Sequence, residues 1–479
     1  MNKQLNRSNF PGPSYPEKIL QFGEGNFLRA FVDWIVDNLN QKTDFNSGVT
    51  IVRPIDTHQP SINEQDGLYT TIVRGLNEQG DAIATPRIIY SVNREILIYQ
   101  DYQLYLKCAE NPDLEFIFSN TTEAGITFSD KDKATDTPPT TFPAKLTCFL
   151  YHRFEFFTGK RDKGLIIIPC ELIDYNGERL KELVLEYANL WQLGDSFITW
   201  INESNTFCST LVDRIVTGYP KDETTQIEQQ LGYQDQFLDT AEYFYLFVIQ
   251  GPNWLKQKLN LNQADLNILV VDDIKPYKER KVGILNGAHT AMVPVAYLAG
   301  LRTVGQCMDN PQIETFVKNL LIQEVIPTLS LDQDQLKQFT DEVLKRFKNP
   351  FIKHELMSIS LNSLTKFKTR LLPQLLTYSK QFNQPPKYIS FALAALIAFY
   401  RGEYQGQTIP LTDDEHLLAK FNQWYPLYQN DVKTLVTNIL KMTEHWGIDL
   451  NHIAGLNDLV TEYLENILSH DIKDYIPNH

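Results

Sequence analysis

The pattern of apolar and polar positions changes character partway along the chain. Up to Asp272, short β-favouring runs alternate with helical stretches. Residues 18–22, 49–53, 116–119 and 165–169 read as strands. Helical periodicity is found from Asn26 onwards and over 144–157, 177–193 and 196–202. The stretch 69–98 carries extra β-favouring runs, and 243–250 with 267–271 supply late strands. Strands alternating with helices predict a doubly wound parallel sheet. After Asp273 the strand pattern stops. Helix-length segments recur at 313–325, 333–347, 352–372, 389–400, 415–424, 432–446 and 456–468, punctuated by prolines and glycines. Thr412 with Glu415 fits a capping box at the start of one of them. The chain is too long for one ordinary core. It divides into an α/β half with a doubly wound sheet over 1–274 and a mostly α-helical half over 275–479.

Composition narrows the function classes. The chain has 479 residues, 43% hydrophobic and 22% charged, with a formal net charge of −15. A nucleic-acid binder would carry a basic footprint, so none is expected, and an anionic substrate needs a locally positive site. The five cysteines, Cys108, Cys148, Cys170, Cys208 and Cys307, have no CxxC spacing and read as free thiols of a reducing compartment. The first residues show no apolar signal core. No run approaches the roughly 20 apolar residues of a membrane span; the nearest, 391–400, reads as a core helix. These features predict a cytoplasmic protein, a monomer or small homo-oligomer, with a small-molecule partner and no membrane. No metal is expected: His445 and His452 stand seven apart without a third ligand.

Candidate chemistry lies at two places. The first is the strand 18–22, the turn Gly23-Glu24-Gly25 and the helix from Asn26. Glycines let the backbone approach a pyrophosphate, and a helix N-terminus offers unpaired N–H groups with partial positive charge. Leu28 replaces the third glycine of the usual fingerprint. Asp56, after the second strand, suits an adenosine ribose and favours NAD, although it also suits a turn. Arg53, just before it, could instead take a 2′-phosphate. Asn120 and Thr121 open a polar loop at the end of strand 116–119, where open sheets bind ligands, or they cap and turn.

The second place is the segment 278–300, which reads as a helix. Lys281, Asn286 and His289 fall at about 0°, 140° and 80° around a regular helix, on one side. Singly, each suits a solvated or core position. Together, a lysine, an amide and an imidazole can supply a proton, a hydrogen bond to a carbonyl oxygen, and orientation of a hydroxyl.

These residues resemble the polyol-specific long-chain dehydrogenase/reductase family, to which mannitol dehydrogenases belong. The resemblance is carried by QFGEGNFLRAF from Gln21, QDGLYT from Gln65, SNTTEAGI from Ser119, LVDRIVTGYP from Leu211 and VVDDIKPYKERKVGILNGAHT from Val270. It implies an N-terminal Rossmann-type dinucleotide-binding domain over 1–274, an α-helical substrate and catalytic domain over 275–479, and metal-independent hydride transfer with NAD(H), with Lys281 as general acid/base, Asn286 holding the reacting oxygen and His289 orienting the substrate. It places the run Gln21, Phe22, Gly23, Glu24, Gly25, Asn26, Phe27 and Arg29 at the cofactor, with Asp56, and Asn120, Thr121 and Thr122 near the nicotinamide. Two departures stand out. Ser209 occupies the position expected for a second oxyanion-binding asparagine, and Lys278 that of a glutamate common in polyol-oxidising members. Lys278, Arg214 or the pair Lys366 and Arg370 would then meet a substrate carboxylate, which suits a sugar acid better than a hexitol. A hexitol dehydrogenase, a reductase of a different keto-uronate and a nucleotide-binding regulator without chemistry remain as alternatives.

Overall fold

The computed structural model describes residues 3–122 and 125–477. Contacts divide the chain into two compact units: Met1–Asn77 with Ile83–Ile274, and Glu78–Ala82 with Lys275–His479.

The first unit is built on a six-stranded parallel sheet. Its spatial order is Val92–Leu97, Gly48–Arg53, Glu17–Phe22, Phe116–Ser119, Ile166–Pro169, Thr206–Phe207. Counted along the chain this is 3-2-1-4-5-6, the Rossmann order, whose direction reverses between the first and fourth strands. The inner strands are buried on both faces, as parallel sheets require, and the edge strands partly. Ile19, Ile51, Phe116 and Ile168 enter one apolar layer, while Leu20, Val52, Ile117 and Ile167 enter the other. That is the two-residue period of a strand. The extra β runs divide: Val92–Leu97 joins the main sheet, whereas Tyr69–Leu76 and Ala82–Ile89 join Val216–Gly218 and Asp239–Glu242 in a second. Ser209–Asp213, Leu246–Gln250 and Ile268–Val271 form a third.

Among the described residues from Lys275 on, the second unit is helical apart from a hairpin of two-residue strands, Glu403–Tyr404 with Gln407–Thr408, and an isolated bridge between Thr303 and Glu355. Its central helix Lys387–Phe399 is buried from Tyr388 to Phe399, so the longest apolar run is core. No helix among the described residues is long and apolar enough to cross a membrane. Three sequence expectations need correction. The predicted helix 352–372 is broken into Leu356–Ile359, Ser363–Arg370 and the start of Leu372–Phe382. Asn362 stands between the first two with a left-handed φ of 54°, which asparagine tolerates. The predicted 432–446 helix is two, Val432–Leu440 and Thr443–Trp446. The cap of Glu415–Trp424 is Asp414, not Thr412: its carboxylate accepts the amides of His416 (2.9 Å) and Leu417 (3.2 Å).

Candidate active site

In the first unit the glycine turn sits at the sheet's reversal point. Gly23 has φ +118°, and a Cβ there would stand 3.0 Å from the Asn120 carbonyl. Only glycine meets both demands. The Asn120 amide donates to the Phe22 carbonyl (3.1 Å) and the Gly23 amide to the Val52 carbonyl (3.0 Å). Gly25 precedes the helix with no side-chain cap, and a Cβ on it would meet nothing within 4 Å. The exposed first turn therefore has room for a ligand and bare N–H groups to meet it, which fits a dinucleotide pyrophosphate.

The other side chains of this motif divide between surface and interior. Asn26 is exposed at the helix start and Glu24 half-exposed, its carboxyl pushed up by burial. Phe27 stacks on Phe31 (5.1 Å). Gln21 and Phe22 are buried: Gln21 Nε2 donates to the Gly23 carbonyl (3.1 Å) and to Asp33 (3.3 Å), and Phe22 packs on Tyr105 and Phe142. Only their backbone can face a ligand. Arg29 corrects the expectation of a phosphate contact. Its guanidinium is buried and bonded to the Phe237 carbonyl (2.7 Å) and Asn26 Oδ1, and it lies 3.9 Å from Asp239. It braces Asn26 from below. Apart from exposed Asp66, the QDGLYT motif is likewise internal: Gln65 donates to Asp235 (2.9 Å) and the Tyr69 hydroxyl to the Arg29 carbonyl (2.7 Å).

Asp56 is exposed in the loop after Gly48–Arg53. Thr121 and Asn120 are held from the next strand end. The Thr121 amide (3.0 Å) and hydroxyl (3.1 Å) donate to Glu171, which also accepts the Ser119 hydroxyl (3.1 Å). Asn120 Nδ2 donates to the Cys170 carbonyl (2.9 Å). Thr122 is exposed with φ +73°. Glu123 and Ala124, which complete the quoted loop motif, lie outside the described residues. Glu171 was missed from sequence; its place directly after a strand's carboxyl end is the signal that marks it. Asn176 was missed too, and ties the Pro169 and Glu171 carbonyls together (3.0 Å each).

Two substrate candidates in this unit are contradicted. Ser209 is 3% exposed, and its hydroxyl accepts the Glu178 amide (3.4 Å) near the start of helix Asn176–Leu190. Arg214 is 6% exposed, bonded to the carbonyls of Glu242 (3.0 Å) and Ala30 (2.7 Å) and stacked over Trp34 (4.3 Å). Arg214 is thus turned away from a solvent-borne carboxylate, and Ser209, expected at the reacting oxygen, is turned to the Glu178 amide instead.

In the second unit one continuous helical rod carries the lysine, the amide and the imidazole. Lys275–Arg280 and Gly287–Leu298 are α-helical, but Lys281–Asn286 between them is a π-helix. Its hydrogen bonds close i→i+5, and such turns recur at functional sites. Lys281 and Asn286, five apart, are the first and last residues of that wide turn, which sets them closer together around the axis than a regular helix would. His289 follows three residues later. All three are half-buried.

His289 stacks on Phe347 (4.3 Å) and meets His354 edge-on (5.3 Å). Its Nε2 is buried without a partner among the described residues. Burial, then His354, Arg346, Arg370 and Lys366, hold the imidazole well below the ordinary histidine range. The next residue, Thr290, bonds the Asn286 carbonyl (2.9 Å) and accepts from Arg370 (3.4 Å). Lys366 Nζ bonds the Ile359 carbonyl (2.7 Å). The structure thus sets Lys366 and Arg370 beside His289, with Arg346 and His354, which sequence reasoning missed because they are 57 and 65 positions downstream of it. Lys278 is half-buried one turn before Lys281.

The comparisons agree with this anatomy. The mannitol dehydrogenase Rossmann domain matches residues 17–263, and the mannitol dehydrogenase C-terminal domain matches 273–468. A Yersinia enterocolitica protein named altronate oxidoreductase is 59% identical over 473 residues, covering 98% of each chain. An Escherichia coli protein of the same name is 56% identical over 478, covering 99% of each. Among solved structures, D-sorbitol dehydrogenase superposes with a TM-score of 0.82 at 20% identity, covering 100% of both chains. Pseudomonas fluorescens mannitol 2-dehydrogenase, in a ternary complex with NAD and D-mannitol, gives 0.67 at 19%, covering 99% of this chain and 98% of that one. At those identities the two structures speak for the fold alone.

Proposed function

The chain belongs to the mannitol dehydrogenase family, and from that membership we propose that it is an NAD-dependent oxidoreductase interconverting tagaturonate, a keto-hexuronate, with its aldonate, altronate. The observation that carries the sugar-acid reading is the basic surround of His289. Arg346, Lys366 and Arg370 gather about an orphaned buried Nε2, in a protein of net charge −15. A buried polar atom without a partner costs about 1–3 kcal/mol, and a substrate hydroxyl removes that cost. Guanidinium and ammonium groups beside it suit the carboxylate of the same substrate. The names of the relatives at 56–59% identity support the same substrate class.

In this reading 1–274 is the dinucleotide-binding domain, and 275–479 the substrate and catalytic domain. Gly23, Gly25 and the first helical turn hold the pyrophosphate, Asp56 the ribose diol, and Asn120, Thr121 and Thr122 flank the nicotinamide. When bound, the reduced nicotinamide supplies a hydride to the ketone carbon. Negative charge then grows on the ketone oxygen. Asn286 donates a hydrogen bond to it, an interaction strongest in the transition state. Lys281 gives the proton that completes the alcohol and takes it back in oxidation. His289, kept neutral by its surroundings, accepts from or donates to a substrate hydroxyl and fixes the sugar's orientation. Lys278, Lys366 and Arg370 attract the carboxylate.

The test is NADH oxidation with tagaturonate, fructuronate and fructose in parallel. Tagaturonate should be turned over with the highest kcat/KM. Preference for fructuronate would make the protein a fructuronate reductase, and preference for fructose a hexitol dehydrogenase. No substrate-dependent oxidation at all would leave a nucleotide-binding regulator.

A further inference from the structure

An arginine at the end of the second strand of a dinucleotide-binding sheet is placed to read a 2′-phosphate. Arg53 is such an arginine, three residues before Asp56. Its guanidinium has five N–H donors, and the structure accounts for all five. Nε donates to Glu95 Oε1 (2.8 Å) and Nη2 to Glu95 Oε2 (3.1 Å). The second Nη2 hydrogen goes to the Pro60 carbonyl (2.8 Å). Nη1 donates to the Gln59 carbonyl (2.8 Å) and the Thr57 hydroxyl (3.3 Å). A second carboxylate, Glu24 of the glycine turn, stands 3.8 Å away.

Glu95 is fixed as firmly as its partner. It lies on the neighbouring strand Val92–Leu97, in register with Ile51, and is 4% exposed. It also accepts the Ser61 hydroxyl (2.6 Å) and the Ile62 amide (3.2 Å). Asn63 pins its backbone from both sides, accepting its amide (2.8 Å) and donating to its carbonyl (2.9 Å). The loop that carries Asp56 is therefore wrapped around an ion pair whose cation has no donor left over.

We propose that Glu95 is the residue that makes the cofactor site selective against a 2′-phosphate. By taking both the charge and two donors of Arg53, it leaves Asp56 alone at the ribose, where a carboxylate accepts from a diol and repels a phosphate dianion. Specificity then comes from a withheld attraction as well as a repulsion. This rests on the dinucleotide reading above.

The experiment compares kcat/KM for NADPH and NADH in the unaltered enzyme, in Glu95→Gln and in Glu95→Gln/Arg53→Met. The neutral amide releases one guanidinium donor and the charge, so Glu95→Gln should raise the NADPH/NADH ratio by roughly tenfold or more. The double variant should return it towards the starting value. An unchanged ratio in a Glu95→Gln enzyme that still oxidises NADH overturns the proposal, as does a gain that survives loss of Arg53. Should Glu95→Gln not fold, inhibition of the unaltered enzyme decides. ADP should compete with NADH at least roughly tenfold better than 2′,5′-ADP, and equal inhibition overturns the proposal. Failure of the unaltered enzyme to oxidise either cofactor overturns the dinucleotide reading and this one with it, whereas NADH turnover with equal inhibition overturns this one alone.

Discussion

Lys281, Asn286 and His289 are each ordinary as residues, and it is one helical rod with a π-turn that carries all three. Lys281→Ala should lower turnover by about 10²–10⁴-fold, the usual contribution of a general acid, while fluorescence titration still detects NADH binding. Near-normal turnover would remove the lysine from the mechanism. Arg370 is tied to Thr290 beside the imidazole, so Arg370→Ala should raise KM for the sugar acid by roughly tenfold or more and leave KM for NADH near its starting value, as loss of a charge-assisted hydrogen bond does. A shift in the NADH constant instead would move Arg370 out of the substrate site. Of the residues legible in the sequence, those defined by local geometry kept their places: Gly23 and Gly25 in the turn, Asp56 after its strand. Ser209, Arg214 and Arg29 did not, because a spacing along the chain says nothing about which way a side chain faces. Arg214 went to a ring and two carbonyls of its own unit.

At the scale of elements, the π-turn Lys281–Asn286 and the buried helix Lys387–Phe399 show two ways in which tertiary demands reshape a periodic pattern. Glu324, itself in the π-helix Leu320–Val325, receives the first free amides of the buried helix, Tyr388 and Ile389, at 2.8 Å each. Replacing it with alanine strands those donors and should cost about 1–3 kcal/mol in urea unfolding of the second unit. Burial pushes its carboxyl up to about 7 from an ordinary 4.5. The folded chain therefore holds that proton more tightly than the unfolded one. Its contribution is fullest below about pH 4.5 and is lost as pH rises through about 7. Glu324→Gln should flatten that part of the stability–pH curve, and an unaltered slope would show that another group sets it. Helix breaks escaped the sequence reading for a related reason: 352–372 keeps helical periodicity across Asn362, and only the left-handed residue reveals the stop.

For the whole molecule, two separate cores follow from a chain too long for one. The first unit carries its apolar layers on both faces of the main sheet, and the second is built on a helix buried along nearly its whole length. A ligand that binds one native unit stabilises that unit by mass action. NADH at a hundredfold its Kd should raise the unfolding free energy of the first unit by about 2.7 kcal/mol, read as a shift of its own transition in calorimetry. A shift confined to the second unit would place the cofactor there and refute the assignment of domains.

The sequence by itself determined the class of each half, the strand–turn–helix with its two glycines, and the presence of a lysine, an amide and an imidazole within nine residues, because these are matters of period and local backbone geometry. Only the tertiary structure decided the strand order that makes the crevice, the wide turn that runs from Lys281 to Asn286, and the fate of each arginine. Charge is written in the sequence, but whether a guanidinium greets a ligand or a buried carboxylate depends on what long-range packing sets beside it. Arg53 facing Glu95 from the next strand and Arg370 facing Thr290 from another helix are the two outcomes.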